Sequence, residues 1–154
     1  TLVRDSDILP LVFNHLNVDG YDLVYEALGV LVIMTACTED SLAQSVIDVG
    51  TLSVLPELVE KHKYRPHIVR NSCRLIGNLI AGTDNERQEV INNGLLAMIV
   101  KVMQTGESDV CSWALANLIK IGTTTQIELL LAEKPMPALA SPLSHANPVY
   151  VANR

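Results

Sequence analysis

The chain repeats itself, and that feature limits its possible folds more than any other. VIDVGTLSVLPEL from Val46 and VINNGLLAMIVKV from Val90 keep a valine, an isoleucine, an Asx residue, a glycine and three aliphatic positions in step across a shift of 44 residues. A third, weaker copy, LLAEKPMPALASPL, begins 40 residues later at Leu130. Each copy follows a helix-like segment: LVYEALGVLVIMTA, then IVRNSCRLIGNLIAG, then DVCSWALANLIKIG. A unit of this length cannot bury its apolar face alone, so neighbouring units must stack and share one elongated core.

Within one unit the spacing predicts a short helix from Asn85 to Asn92, ended by Gly94 as a left-handed C-terminal cap. A second helix follows from Leu95 to about Met103, Gln104-Thr105-Gly106 turns, and Ser108 or Asp109 can cap a third helix running to about Lys120, before Gly122. Periods of about 40 to 47 residues are those of HEAT and armadillo units, and three helices per unit favour armadillo. The fold expected is an all-α right-handed superhelix of about three and a half repeats, filling residues 1–154 as one armadillo-repeat domain. Ile8-Leu9-Pro10-Leu11-Val12 reads as a second helix, so the first unit is entered midway. Pro135, Pro137, Pro142 and Pro148 crowd the last unit, and Pro142 inside its second helix would cost about 3 kcal/mol. Because the chain does not begin with Met, it is expected to be a piece of a longer solenoid with incomplete terminal repeats. Such ends expose unpaired apolar faces and invite self-association, and stability should be modest and distributed over the repeats.

Composition supports packed helices. Hydrophobic residues make up 49% of the chain but aromatics only 4%, which suits helix-on-helix packing better than a β-sandwich. The net charge of −6 repels phosphate backbones and favours basic partners over nucleic acid. No uninterrupted apolar stretch reaches the roughly 20 residues that span a bilayer, and Thr1–Asp7 lacks a signal-type pattern, so a soluble, intracellular protein without a membrane partner is expected. Cys37, Cys73 and Cys111 form no metal-binding or CxxC spacing and read as small core residues in a reducing compartment. His15, His62, His67 and His145 fall in different units, and no nucleophile elbow or phosphate-binding loop is present, so no enzyme activity, metal or cofactor is expected. Lys61, His62, Lys63, Arg65 and His67 form a basic turn read as a solvated loop.

At 100° per residue, Cys111, Leu115, Leu118 and Ile119 share the core side of the later third helix, while Trp113, Asn117 and Lys120 fall opposite. One unit earlier Val69, Ile76, Leu79 and Ile80 form the buried stripe, and Arg74 and Asn78 stand where Trp113 and Asn117 stand 39 residues later. Third helices of armadillo stacks line the groove, so these residues would form a ladder. An Asn amide matches the N–H and C=O of an extended peptide, and an indole face offers a slot for a lysine or arginine stem with a cation–π contact of about 0.5 to 2 kcal/mol. The competing reading makes Trp113 an inter-repeat packing residue and Asn78 a residue that stiffens the inter-repeat contact.

CRLIGNLIAGTD (Cys73 to Asp84), SWALANL (Ser112 to Leu118) and Gln126-Ile127-Glu128-Leu129-Leu130 resemble the importin-α family, whose groove helices carry a Trp-x-x-x-Asn signature. The order of an Arg/Asn phrase before a Trp/Asn phrase resembles the repeats of that family's minor site for nuclear localisation signals. The resemblance covers roughly Val46 to Leu131 and implies a nuclear-import adaptor, present in cytoplasm and nucleus, that binds basic localisation signals of cargo through Arg74, Asn78, Asp84, Trp113 and Asn117. It also implies importin-β as a partner, through a segment absent here.

The sequence departs from that family in places. Val30 and Met34 stand at the first unit's ladder positions, where no hydrogen bond to a peptide backbone can form, and Val110 stands where the family usually has a glutamate. An extra residue sits around Ile121-Gly122. The helix from Leu28 to Ala36 is apolar all round, with Val30, Ile33 and Met34 expected on the groove face under the N-terminal segment or a second molecule. The alternative function is a generic armadillo-repeat interaction scaffold with no import role.

Overall fold

The computed structural model describes residues 8–37 and 40–135; Thr1–Asp7 and the prolines from Pro137 to Pro148 lie outside them. Among the described residues the chain is helical, without a strand. It runs through α1 (Ile8–Asn14), a 3-10 turn (His15–Asn17), α2 (Tyr21–Ala36), α3 (Asp40–Asp48), α4 (Thr51–Lys61), α5 (Pro66–Ile80), α6 (Asp84–Asn92), α7 (Leu95–Thr105), α8 (Ser108–Ile121) and α9 (Thr124–Ala132). Two three-helix units, α3–α5 and α6–α8, stand complete. They are preceded by the second and third helices of another unit and followed by the first helix of the next.

Local chemistry sets these boundaries. Gly50 and Gly94, one repeat apart, adopt left-handed backbone (φ +97° and +73°) between first and second helices, a conformation that suits glycine. Pro66 opens α5 in the first turn, where its missing N–H costs nothing. The Thr83 hydroxyl accepts from the Glu86 N–H at the start of α6, and Thr123 with Gln126 forms a reciprocal capping box at α9. Helix α7 extends past Met103 to Thr105. The expected cap of α8 is corrected: Ser108 and Asp109 lie inside its first turn and Glu107 holds the cap position without a capping bond. The Asp109 carboxylate is drawn instead to Arg70, 3.1 Å away.

One continuous core runs the length of the stack, built from Leu28 and Leu31 of α2, Leu52 and Leu55 of α4, Leu75, Ile76 and Leu79 of α5, and Leu115 and Leu118 of α8. The stripe Val69, Ile76, Leu79 and Ile80 is buried as expected. In α8, Cys111, Leu115 and Leu118 are buried, but Ile119 is 44% exposed and does not join them. Its side of α8 is where a following third helix would pack, and among the described residues only α9 follows. Ile8, Leu11 and Leu23 near one end, and Ile121, Leu129 and Leu131 near the other, are likewise exposed.

Polar ties span one repeat on each row of helices. On the second-helix row, Lys61 pairs with Asp19 (3.0 Å), and Lys101 with Glu60 (3.5 Å). On the first-helix row, the Asn85 amide donates to Gln44 (3.1 Å), and that of Gln126 to Asp84 (3.0 Å) and Gln88 (3.2 Å). On the third-helix row, Arg70 forks between Glu107 (3.2 Å) and Asp109. Each unit is therefore held in register by contacts with its neighbours. Among the described residues no single helix is long and apolar enough to cross a bilayer.

Candidate functional site

The third helices α2, α5 and α8 pack side by side, α5 against both others, and present one continuous face. Arg74 is exposed on α5, and no ion pair joins it to the described residues. One turn later, Asn78 is only 6% exposed. Its Nδ2 donates to the Val32 carbonyl (3.1 Å) and to the Thr35 hydroxyl (3.2 Å), both on α2. The Thr35 hydroxyl is itself anchored at 3.0 Å to the carbonyls of Leu31 and Val32. Both amide protons of Asn78 are thus engaged in tying α5 to α2.

Asn117 on α8 is in a different situation, half-buried and with no amide hydrogen bond to the described residues. Leu79 stands 44 residues after Thr35, so α5 offers it no hydroxyl in the place where Thr35 serves Asn78. Trp113, one turn before Asn117, leaves α8 on the side away from Leu115 and Leu118 and lays its indole on α5. The six-membered edge of the ring occupies the space that a Cβ at Gly77 would fill. The indole is half-buried and packed against the core, with part of its surface open. Val110 is fully buried, whereas Asp109, one turn before Trp113, puts a carboxylate on the exposed side.

The expected rung on α2 is corrected. Met34 is buried in the core and does not reach the face; Val30 is partly exposed, and Ile33 is 67% exposed. A helix that is apolar all round packs whichever stripe its neighbours cover, and here that stripe includes Met34. Asp84 sits in the first turn of α6, on the first-helix row, where its carboxylate accepts from Gln126 and lies 3.6 Å from Arg87. Arg87 is buried and donates to the carbonyls of Ile80 (3.2 Å) and Gly82 (2.7 Å), closing the C-terminus of α5. The structure therefore brings Arg74, Trp113 and Asn117 to one face, places Asn78 beneath it, and holds Asp84 in a junction between units.

Sequence reasoning missed Gly77 and Thr35. A glycine in a helix interior costs about 0.5 to 1 kcal/mol relative to alanine, which is itself a signal of close approach by another group. Cys73 and Cys111 face each other across α5 and α8 with sulfurs 3.5 Å apart, both fully buried. The contact with Cys73, and then burial, pushes the Cys111 thiol far above its ordinary range. Among the described residues no group of three His, Cys, Asp or Glu side chains is placed to hold a metal ion.

No family model matches the sequence. Solved structures match its fold over nearly its whole length. A designed armadillo repeat protein in complex with the peptide (KR)4 superposes with a TM-score of 0.83 at 21% identity, over 97% of this chain and 62% of that one. A second designed armadillo repeat protein gives 0.83 at 24% identity, over 96% and 61%. Computationally designed armadillo repeat proteins for modular peptide recognition give 0.78 at 25% identity, over 90% and 58%. The chain spans about three fifths of the length of these structures. Its fold is that of an armadillo-repeat solenoid.

Proposed function

We propose that this chain is a protein-interaction scaffold that receives an extended peptide along the row of third helices α2, α5 and α8. The observation that carries the reading is the state of Asn117: an amide beside a partly open indole, with neither its donors nor its acceptor bonded to the described residues. Such an amide can pair with both the N–H and the C=O of a peptide lying across it. The likeness to designed proteins for modular peptide recognition supports it.

A finer reading, a nuclear-import adaptor working between cytoplasm and nucleus, is favoured by the Arg/Asn and Trp/Asn phrases and by the (KR)4 peptide held by a structural neighbour. In that reading the Trp113 indole receives the stem of a lysine or arginine of a nuclear localisation signal and Asn117 holds its backbone, while the Asp109 carboxylate stays shared with Arg70. Arg74 sets the next rung against a second cation and in favour of a carbonyl or carboxylate. Asn78 and Asp84 contribute by fixing the helices, and importin-β would engage a further segment.

Anisotropy titration of a fluorescein-labelled lysine-rich peptide, and of its alanine-substituted version, separates the readings and can be read equally in variants that lack the single tryptophan. The import reading expects salt-sensitive binding of the lysine peptide with a Kd in the tens of micromolar, roughly 6 to 7 kcal/mol, lost in Asn117→Ala. Equal affinity for both peptides removes the import reading and leaves the scaffold. Binding indifferent to Asn117→Ala and Trp113→Ala overturns the third-helix face as the site.

A further inference from the structure

The second-helix row carries a cleft of about 830 Å³ between α4 and α7. Its floor is apolar: Val59 of α4, Val69 of α5, and Met98 and Val102 of α7. Its rim is charged. Lys63 (2.7 Å) and Lys101 (3.5 Å) share the single carboxylate of Glu60, so the rim holds one cation in excess. Tyr64 stands at the edge, 86% exposed, with the Lys63 ammonium 5.6 Å from its ring centre. Of the turn from Lys61 to His67, read from the sequence as a solvated loop, Lys63 and Tyr64 line this cleft, whereas Lys61 pairs with Asp19 (3.0 Å) and Arg65 lies 4.7 Å over the Tyr21 ring of the preceding unit. Lys63 and Lys101 against the one carboxylate of Glu60 thus leave this rim net positive, although the chain carries a net charge of −6.

We propose that this cleft docks an acidic amphipathic helix of a partner protein. Charge complementarity selects the occupant. An apolar stripe fills the floor, and carboxylates along its edges meet Lys63 and Lys101, replacing or supplementing Glu60. An exposed tyrosine beside an apolar floor is the kind of residue on which such interfaces concentrate their affinity. The same cations repel a basic peptide, so this surface is independent of the third-helix face and of its proposed ligand.

The test uses a fluorescein-labelled helical peptide with leucines at i, i+3, i+4 and i+7 and glutamates flanking that stripe, measured by anisotropy on the full chain. Two control peptides carry lysines for the glutamates or serines for the leucines. The acidic amphipathic peptide should bind, and both controls should bind at least ten-fold more weakly. The exposed double variant Lys63→Glu/Lys101→Glu, whose fold is checked by circular dichroism, should lose about ten-fold for the acidic peptide and gain for its lysine analogue. An excess of unlabelled lysine-rich extended peptide should not displace the probe. Equal binding of the acidic and lysine helices overturns the proposal, as does acidic-peptide affinity unchanged by the double charge reversal. So does displacement by the extended peptide, which would place the probe on the third-helix face.

Discussion

Trp113 rests on Gly77: the indole of one third helix fills the space left by the missing side chain of the helix before it. The contact couples two adjacent units at the middle of their shared face, and it makes the chain's single tryptophan a reporter of inter-repeat packing. Gly77→Ala raises local helix propensity, but its methyl group overlaps the ring. The clash should outweigh the gain, with a net loss of about 1 to 3 kcal/mol of stability and a red-shifted emission as the indole is pushed into solvent. Chemical denaturation followed by fluorescence checks both, and an unshifted, equally stable variant would show that the ring is not seated there.

His62 closes α4 with its ring buried and its Nε2 unbonded. Burial, followed by the charges of Lys61 and Arg65, lowers its pKa below the ordinary 6.5. The unfolded chain therefore takes up this proton before the folded one does. Stability is complete above about pH 6.5 and declines as pH falls through the lowered folded value. Glu60 and Asp19, whose lysine partners hold their pKa values below 4.5 and 3.8, contribute above those values and lose their effect only in more acidic solution. Denaturation midpoints measured from pH 7.5 to about 5 should fall for the wild type and flatten for His62→Gln.

The thiols should divide by burial. Cys73 and Cys111 are fully buried and in mutual contact, so neither sulfur is within reach of an alkylating reagent, and the Cys111 proton is in addition held tightly. Cys37 is only partly buried. Iodoacetamide labelling of the native protein should modify Cys37 first, and denaturant should release the other two together, since each shields the other. Peptide mapping after brief labelling reads the order directly.

The repeat, the three-helix unit and the buried stripe of α5 could be read from sequence because each depends on spacing within one segment. Gly94 could be assigned a left-handed backbone because a glycine recurring 44 residues from Gly50, after each short helix, has few other uses. Contacts between units were less visible. Nothing local to Asn78 announces that Thr35 lies 43 residues away with a hydroxyl in reach, and Asn78 and Asn117 look alike in sequence. The capping patterns Thr83-x-x-Glu86 and Thr123-x-x-Gln126 were available and would have fixed the starts of α6 and α9. On α2 the apolar residues surround the helix, so no phase could be read, and the structure turned Ile33 outward and Met34 inward.

Asn78 and Asn117 therefore make the sharpest comparison within the molecule, since the same residue type at equivalent positions should fail in different ways. Asn78→Ala removes two hydrogen bonds to α2 and leaves the Val32 carbonyl and Thr35 hydroxyl without that donor inside the stack. Losing a buried donor of this kind costs about 1 to 3 kcal/mol, so its denaturation midpoint should fall clearly. Asn117→Ala removes an amide with no bond to the described residues, and its midpoint should stay within about 0.5 kcal/mol of wild type. Peptide titration should give the opposite order, with Asn117→Ala losing about ten-fold or more and Asn78→Ala, where still folded, losing less. A further variant isolates the cause. Thr35→Val deletes only the hydroxyl, and if the tie to α2 explains Asn78, then Thr35→Val combined with Asn78→Ala should cost less than the sum of the two single changes. Strict additivity would mean that the two side chains do not act together and that the burial of Asn78 needs another cause.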